Sequence, residues 1–304
     1  MYCNILQRRF LRLALISFAG LCTGAMAAEK QPVTLTVSAV QFRSSPHLAD
    51  NLERIVQTLV RLADEHVKVA VFPECALTSY TKEAAENVDP KSVADAEEKI
   101  RVTCREKGIA AIFGSVYKVN GRIYNSAVVI DSKGELLERY GKVYLAGERW
   151  FTPGNHISYF ELEGVPSTVM ICHDERYPEM VRLPAIQGAR IVYYISHESG
   201  MREETKIAPY RAQLMARAVE NGVFIVSANA PASPKDLSGS HGQSRIVNTD
   251  GNVIKEAGFF GEEVLTETLT VKPGILRRPL DELMADWWRQ GVDTMMKNRN
   301  RRLD

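Results

Sequence analysis

The chain has 304 residues, a formal net charge of +1 and an apolar fraction of 45%. Near-neutral charge offers no footprint for nucleic acid or another polyanion, and the apolar content is that of an ordinary globular protein. The length fits one large domain or two smaller ones, and no internal repeat or long linker divides it.

The first residues read as a targeting segment. Arg8, Arg9 and Arg12 form a basic start, Leu11 to Leu21 is mostly apolar, and Ala25-Met26-Ala27 has the small-x-small form of a cleavage site. The apolar run is too short for a comfortable membrane span. Residues 1–27 are therefore expected to be a signal peptide, and the protein to be periplasmic or secreted. Arg8-Arg9-Phe10-Leu11 resembles a twin-arginine signal without its usual spacer, and Leu21 makes Cys22 a poor lipidation site. Removing 1–27 leaves Cys75, Cys104 and Cys172, an odd number without metal-ligand spacing. An unpaired thiol in an exported protein calls for a reason, and nucleophilic catalysis is one.

Val33 to Phe42 alternates and is rich in β-branched residues, so it predicts a strand. Leu48 to His66 has apolar residues at helical spacing, and Val67 to Phe72 is a short buried strand ending at Pro73-Glu74. Ser92 to Lys107 predicts a helix stopped by Gly108. Strands 109–117 and 123–130 flank the hairpin signal Asn120-Gly121, and 135–140 follows as another strand. Residues 141–154 are polar and irregular. Strands are expected at 157–162 and 166–171, then a polar turn and a helix, Glu179 to Gln187, opened by Pro178. Strand 190–195, helix 205–220 and strand 222–228 lead to a loop at 231–242. Asp250-Gly251 joins two further strands, and Val264 to Val271 is the last. A helical tail, 279–304, carries Trp287 and Trp288 and would follow a catalytic domain at 28–278. Strands alternating with helices suggest α/β, and the hairpins argue for a mixed sheet. The strand ends carrying Glu74 and Cys172, and the loop around Lys142, would meet on one edge of that sheet.

Cys172 stands where an apolar strand gives way to a polar turn and a helix start, a place from which a thiol can be exposed and backbone N–H groups can face an oxyanion. A buried structural cysteine is the competing reading. Glu74 follows a buried-looking strand, where desolvation would raise its pKa toward that of a general base; a surface turn acid is the alternative. Lys142, flanked by aromatics, could stay charged in a buried site if paired with Glu74. Glu148 is a second acid nearby. His173 adjoins Cys172, but neighbours on a strand point to opposite faces, so a remote carboxylate is the better base. His197 and His241 leave a papain-like pairing open.

Taken together, these motifs resemble the nitrilase superfamily, the carbon–nitrogen hydrolases, over residues 33–270. Phe72-Pro-Glu74, Tyr140-Gly-Lys142-Val-Tyr-Leu145 and Cys172-His-Asp-Glu-Arg-Tyr-Pro-Glu179 carry the likeness. Gly188-Ala189-Arg190, Ala216 to Asn221 and Gly242-Gln-Ser244 with Asp250-Gly251 match in order around them. The resemblance implies an α/β fold, a single-domain αββα sandwich with mixed sheets, that assembles as a homodimer or higher homo-oligomer. It implies Glu74 as general base and Cys172 as nucleophile. Lys142 and the His173 N–H would stabilise the tetrahedral intermediate, with Glu148 as the family's second acid. A thioester would form and be hydrolysed, without metal or organic cofactor. The nearest branches are the amidases and the N-carbamoyl amino acid amidohydrolases. Tyr80, His173, Arg176 and His197 are the expected substrate-facing residues, Arg176 through a substrate carboxylate. Gly141 and His173 depart from the family pattern. Small-molecule amides or carbamoyl compounds are the expected partners, with no nucleic acid and no membrane span after processing. An acyltransferase or a non-catalytic binding protein is the alternative on the same fold.

Overall fold

In a computed structural model of the chain, the β-branched run after residue 32 forms β1 (Val33–Gln41). The structure describes residues 31–199, 204–235 and 239–272, and residues 290, 291, 293 and 294. The expected signal segment 1–27, the boundary at 278 and Trp287-Trp288 of the tail lie outside the described residues.

β1 pairs antiparallel with β12 (Glu263–Val271) and parallel with β2 (Val69–Val71). The sheet continues through β3 (Ala110–Val119), β4 (Arg122–Ile130) and β5 (Leu136–Gly141), in the order β12-β1-β2-β3-β4-β5. Where one mixed sheet was expected on periodicity, there are two. The second holds β6 (Phe160–Leu162), β7 (Val165–Ile171), β8 (Ile191–Ser196), β9 (Phe224–Asn229), β10 (Arg245–Val247) and β11 (Val253–Glu256), in reverse order. In each sheet a parallel centre is flanked by antiparallel pairs.

Strands buried on both faces explain the near-continuous apolar runs. Along β3, Ala110 and Ile112 face inward and meet Val169, Tyr193 and Val226 of the other sheet. Ala111 and Phe113 face outward, under Ile55 and Leu59 of α1 (Leu48–Asp64) and Ile100 and Cys104 of α3 (Pro90–Lys107). On the far side, Val181 of α4 (Glu179–Gln187) and Leu214 and Ala218 of α5 (Glu204–Asn221) cover Val192, Tyr194 and Ile225. The result is the αββα sandwich. Among the described residues no helix is long and apolar enough to cross a membrane.

Local signals explain most boundaries. Asp89 caps α3 by accepting from Ser92 N at 2.9 Å, and Gly108 ends it at φ +65°. Asn120 and Gly121 both take positive φ between β3 and β4. The short α2 (Lys82–Asn87), capped by Thr81, was not anticipated. The strand expected at 157–162 is shorter, because Ser158 Oγ takes over both the N–H and the carbonyl of Val169. Backbone pairing begins only at Phe160.

Candidate active site

Four strand ends converge, two from each sheet. β2 and β5 lead to Glu74 and Lys142, whereas β7 and β8 lead to Cys172 and His197. The expected meeting on one sheet edge is therefore a meeting across two sheets. It is possible because the inner faces pack on each other and their strand ends lie side by side.

Glu74 sits in a turn pressed onto β3. A Cβ on Gly114 would lie 2.0 Å from Cys75 N and 2.6 Å from the Glu74 carbonyl carbon, so the approach needs glycine at 114. Lys142 is fixed by its backbone: its N–H donates to Asn125 O at 2.8 Å, and its carbonyl accepts from Gly154 N at 2.8 Å. Gly154 closes the loop against Gly141, where a Cβ at 154 would meet Gly141 O at 2.1 Å.

The side chains form a buried cluster. Lys142 Nζ donates to Glu74 Oε1 at 2.8 Å and to Glu148 Oε1 at 2.6 Å. Glu74 Oε1 also accepts from Asn125 Nδ2 at 2.6 Å, and Oε2 accepts from His197 N at 2.8 Å. Glu148 accepts from Tyr80 OH at 2.5 Å and from Ala146 N. Burial works against the ammonium, but the charge Cys172 carries once ionised and the carboxylates of Glu74 and Glu148 outweigh it and hold Lys142 well above the ordinary lysine value. Burial likewise opposes the Glu148 carboxylate, and Lys142 and Tyr80 overcome it, leaving its pKa below the usual value.

Cys172 begins a 3-10 turn, Cys172–Arg176, in the left-handed region at φ +48°. Such backbone in a non-glycine residue persists only when its surroundings impose it. Cys75 and Cys104 are buried, whereas Cys172 is half-buried. Burial first and the Glu74 charge second push its thiol well above the ordinary value, against Lys142. The thiol therefore rests protonated, next to a carboxylate that can take its proton and an ammonium that can face an anion.

The remaining candidates take different places. The His197 ring stacks on Tyr80, with centroids 4.7 Å apart. Burial holds the imidazole of His197 below its ordinary value, and burial, Arg176 and Lys142 do the same for His173. His241 is paired with Glu198 at 3.0 Å, which assigns its imidazole to that acid. Arg176 is exposed and reaches toward Tyr210 OH at 3.4 Å. Tyr144 and Tyr177 stack at 3.4 Å and join the Lys142 loop to the turn after Cys172.

Sequence reasoning passed over Asn125 and Asp174. Asn125 is a buried amide just ahead of the apolar run Ala127–Ile130 of β4, and a polar group at that place was the available signal. Asp174 lies within the cysteine motif itself, in a polar turn that gave no sign of burial; it is fully buried.

The sequence profile of the family described as carbon-nitrogen hydrolase matches residues 36–273. The chain is 28% identical over 228 residues to the 2-oxoglutaramate amidase of Bacillus subtilis, covering 73% of this chain and 86% of that one. It is 30% identical over 239 residues to the omega-amidase NIT2 of Danio rerio, covering 73% and 83%. Among solved structures it is similar to a mutant of the amidase from Nesterenkonia sp. AN1 with the acetamide moiety of fluoroacetamide added covalently at its active-site cysteine. That likeness has a TM-score of 0.71 at 25% identity and covers 83% of this chain and 96% of the other. A profile match across most of the chain, relatives matched over most of their length and a shared fold lead to one assignment: this chain belongs to the carbon–nitrogen hydrolase family.

Proposed function

We propose that this hydrolase splits small amides through Cys172 as nucleophile, with Glu74 as general base and Lys142 as the cation at the developing oxyanion. The observation that carries the reading is the buried Glu74–Lys142–Glu148 cluster beside the strained, half-buried thiol. Because the thiol rests protonated, attack requires its proton to leave as the C–S bond forms. Glu74 takes that proton, and the sulfur adds to the amide carbon. The carbonyl oxygen becomes an anion facing Lys142 Nζ and the His173 N–H. The tetrahedral intermediate collapses, the C–N bond breaks, and the proton on Glu74 passes to the departing ammonia or amine. Water, deprotonated by Glu74, then attacks the thioester and releases the acid and the thiol. Glu148 holds Lys142 between two carboxylates.

The substrate class we favour is an amide, or an N-carbamoyl compound, that also bears a carboxylate. Arg176, exposed and reaching toward Tyr210 OH, offers a bidentate donor for it. The relative named for 2-oxoglutaramate, a monoamide that retains a carboxylate, supports the amide form. The test is ammonia release by the purified protein and by Cys172→Ala, over free amides, N-carbamoyl amino acids and nitriles. Release that needs Cys172 is expected, with carboxylate-bearing amides the best substrates; an active Cys172→Ala protein would overturn the mechanism. We further propose export with cleavage near Ala28, which N-terminal sequencing of the protein from its host would refute by finding Met1.

A further inference from the structure

Asp174 lies two residues beyond Cys172 and has no solvent exposure. Its Oδ2 accepts from Tyr140 OH at 2.7 Å and from Ile171 N at 3.0 Å, and its Oδ1 accepts from Tyr144 N at 2.8 Å. Tyr140 and Tyr144 stand two residues on either side of Lys142, and Ile171 directly precedes Cys172. One carboxylate therefore joins the backbone entering the nucleophile's turn to the segment that carries the ammonium. The Asp174 carbonyl also accepts from Tyr177 N at 3.1 Å, closing the far end of the same turn. Nothing in the chemistry of bond breaking uses this acid, yet it costs a buried charge to keep it there.

We infer that Asp174 is a positioning residue: its carboxylate clamps the Cys172 turn to the Lys142 segment and so maintains the strained conformation and the register of thiol and ammonium. This inference rests on the assignment of Cys172 and Lys142 made above. The clamp needs the ionised form, because both oxygens act only as acceptors. Burial pushes the carboxyl up to about 6, against Tyr144 N, Tyr140 OH, Ile171 N and the Lys142 charge, which favour ionisation. The groups that face it are thus Tyr140 from β5, Tyr144 and Lys142 from the following loop, and the end of β7. Cys172 reactivity is accordingly expected to fall as pH drops through about 6.

The test compares wild type with Asp174→Asn in two readouts. One is the rate of Cys172 alkylation by iodoacetamide from about pH 5 to about pH 8, followed by peptide mass. The other is kcat and KM for ammonia release. Asparagine keeps the shape but can accept through only one atom. The expected result is a folded protein with kcat lowered at least about 10-fold, KM within about threefold, and the acid limb of alkylation, meaning the extra loss of rate below about pH 6 on top of the ordinary decline of a protonated thiol, gone. A purely structural role would lower the melting temperature and leave kcat and the limb in place. Should Asp174→Asn fail to fold, Tyr140→Phe removes one donor to the ionised carboxylate. That change is expected to move the limb to higher pH, whereas titration of His173 or His197 would not respond to it. An unchanged limb and unchanged kcat in whichever variant folds overturn the clamp. If wild-type ammonia release does not need Cys172 at all, the nucleophile assignment falls and the clamp with it; if it does need Cys172, only the clamp is at stake.

Discussion

Lys142→Met isolates what the buried cluster contributes. Methionine keeps much of the length and apolar stem of lysine and removes the charge. Lys142 and Glu74 have fully buried side chains, and that of Glu148 is 5% exposed. Removing one partner of a buried ion pair costs about 3–5 kcal/mol, because the other charge is left uncompensated. Here two carboxylates are left, but each keeps other donors: Asn125 and His197 N for Glu74, Tyr80 and Ala146 N for Glu148. We therefore expect a loss near the lower end, about 3 kcal/mol, or about 6–12 °C in Tm for a domain of this size. The pH dependence has a defined sign. Lys142 is what holds the Glu148 carboxyl down against burial, so without it burial and the facing carboxylate raise the folded pKa of Glu148 above the unfolded one. Stability from such a group is present at low pH and is lost as pH rises. The gap to wild type should widen from about pH 5 to about pH 8. Lys142→Met/Glu148→Gln removes the repulsion and should recover part of the loss without restoring turnover. Thermal unfolding by circular dichroism reads all three proteins. A single variant that melts within about 2 °C of wild type at pH 8, or a double variant less stable than the single, would refute the coupling.

Two further substitutions probe the frame and the substrate. Gly154→Ala places a Cβ 2.1 Å from Gly141 O, so the backbone holding Lys142 must shift; we expect at least about 1–3 kcal/mol of destabilisation with a fall in kcat, read by melting and ammonia release, and wild-type values would contradict the close crossing. Arg176→Gln should raise KM about 10-fold for carboxylate-bearing amides and leave neutral amides unaffected, since only the former lose a charge-assisted partner; equal effects on both would remove Arg176 from recognition.

The parts of the site legible in the sequence are those marked by local contrast. An apolar run ending in Pro73-Glu74, and another ending at Cys172, announce strand ends with a reactive group at each tip. Hairpins at Asn120-Gly121 and Asp250-Gly251 were visible for the same reason: their chemistry is set within a few residues. What periodicity left open was partnership. A strand buried on both faces looks alike whether it belongs to one sheet or two, and long-range packing, such as that of β1 against β9, β3 against β8 and β4 against β7, is what sets the two sheets face to face.

The same distinction explains the residues that were missed. Asp174 and Asn125 acquire their roles from partners far along the chain, Tyr140 for one and Glu74 for the other. In a turn, an acid destined for solvent and an acid destined for a buried clamp have identical local sequence. The Cys172–His173 geometry adds a more specific lesson. Alternation predicts opposite faces only while the strand continues, and β7 ends at Ile171. At φ +48° the chain reverses at Cys172, so strand alternation no longer decides where the thiol points or what lies beside it. The rule of alternation stops applying at the residue where the proposed chemistry begins, because a nucleophile must leave the packed strand to meet a substrate, and the backbone strain that lifts it out has to be held by groups, such as Asp174, that no local pattern can reveal.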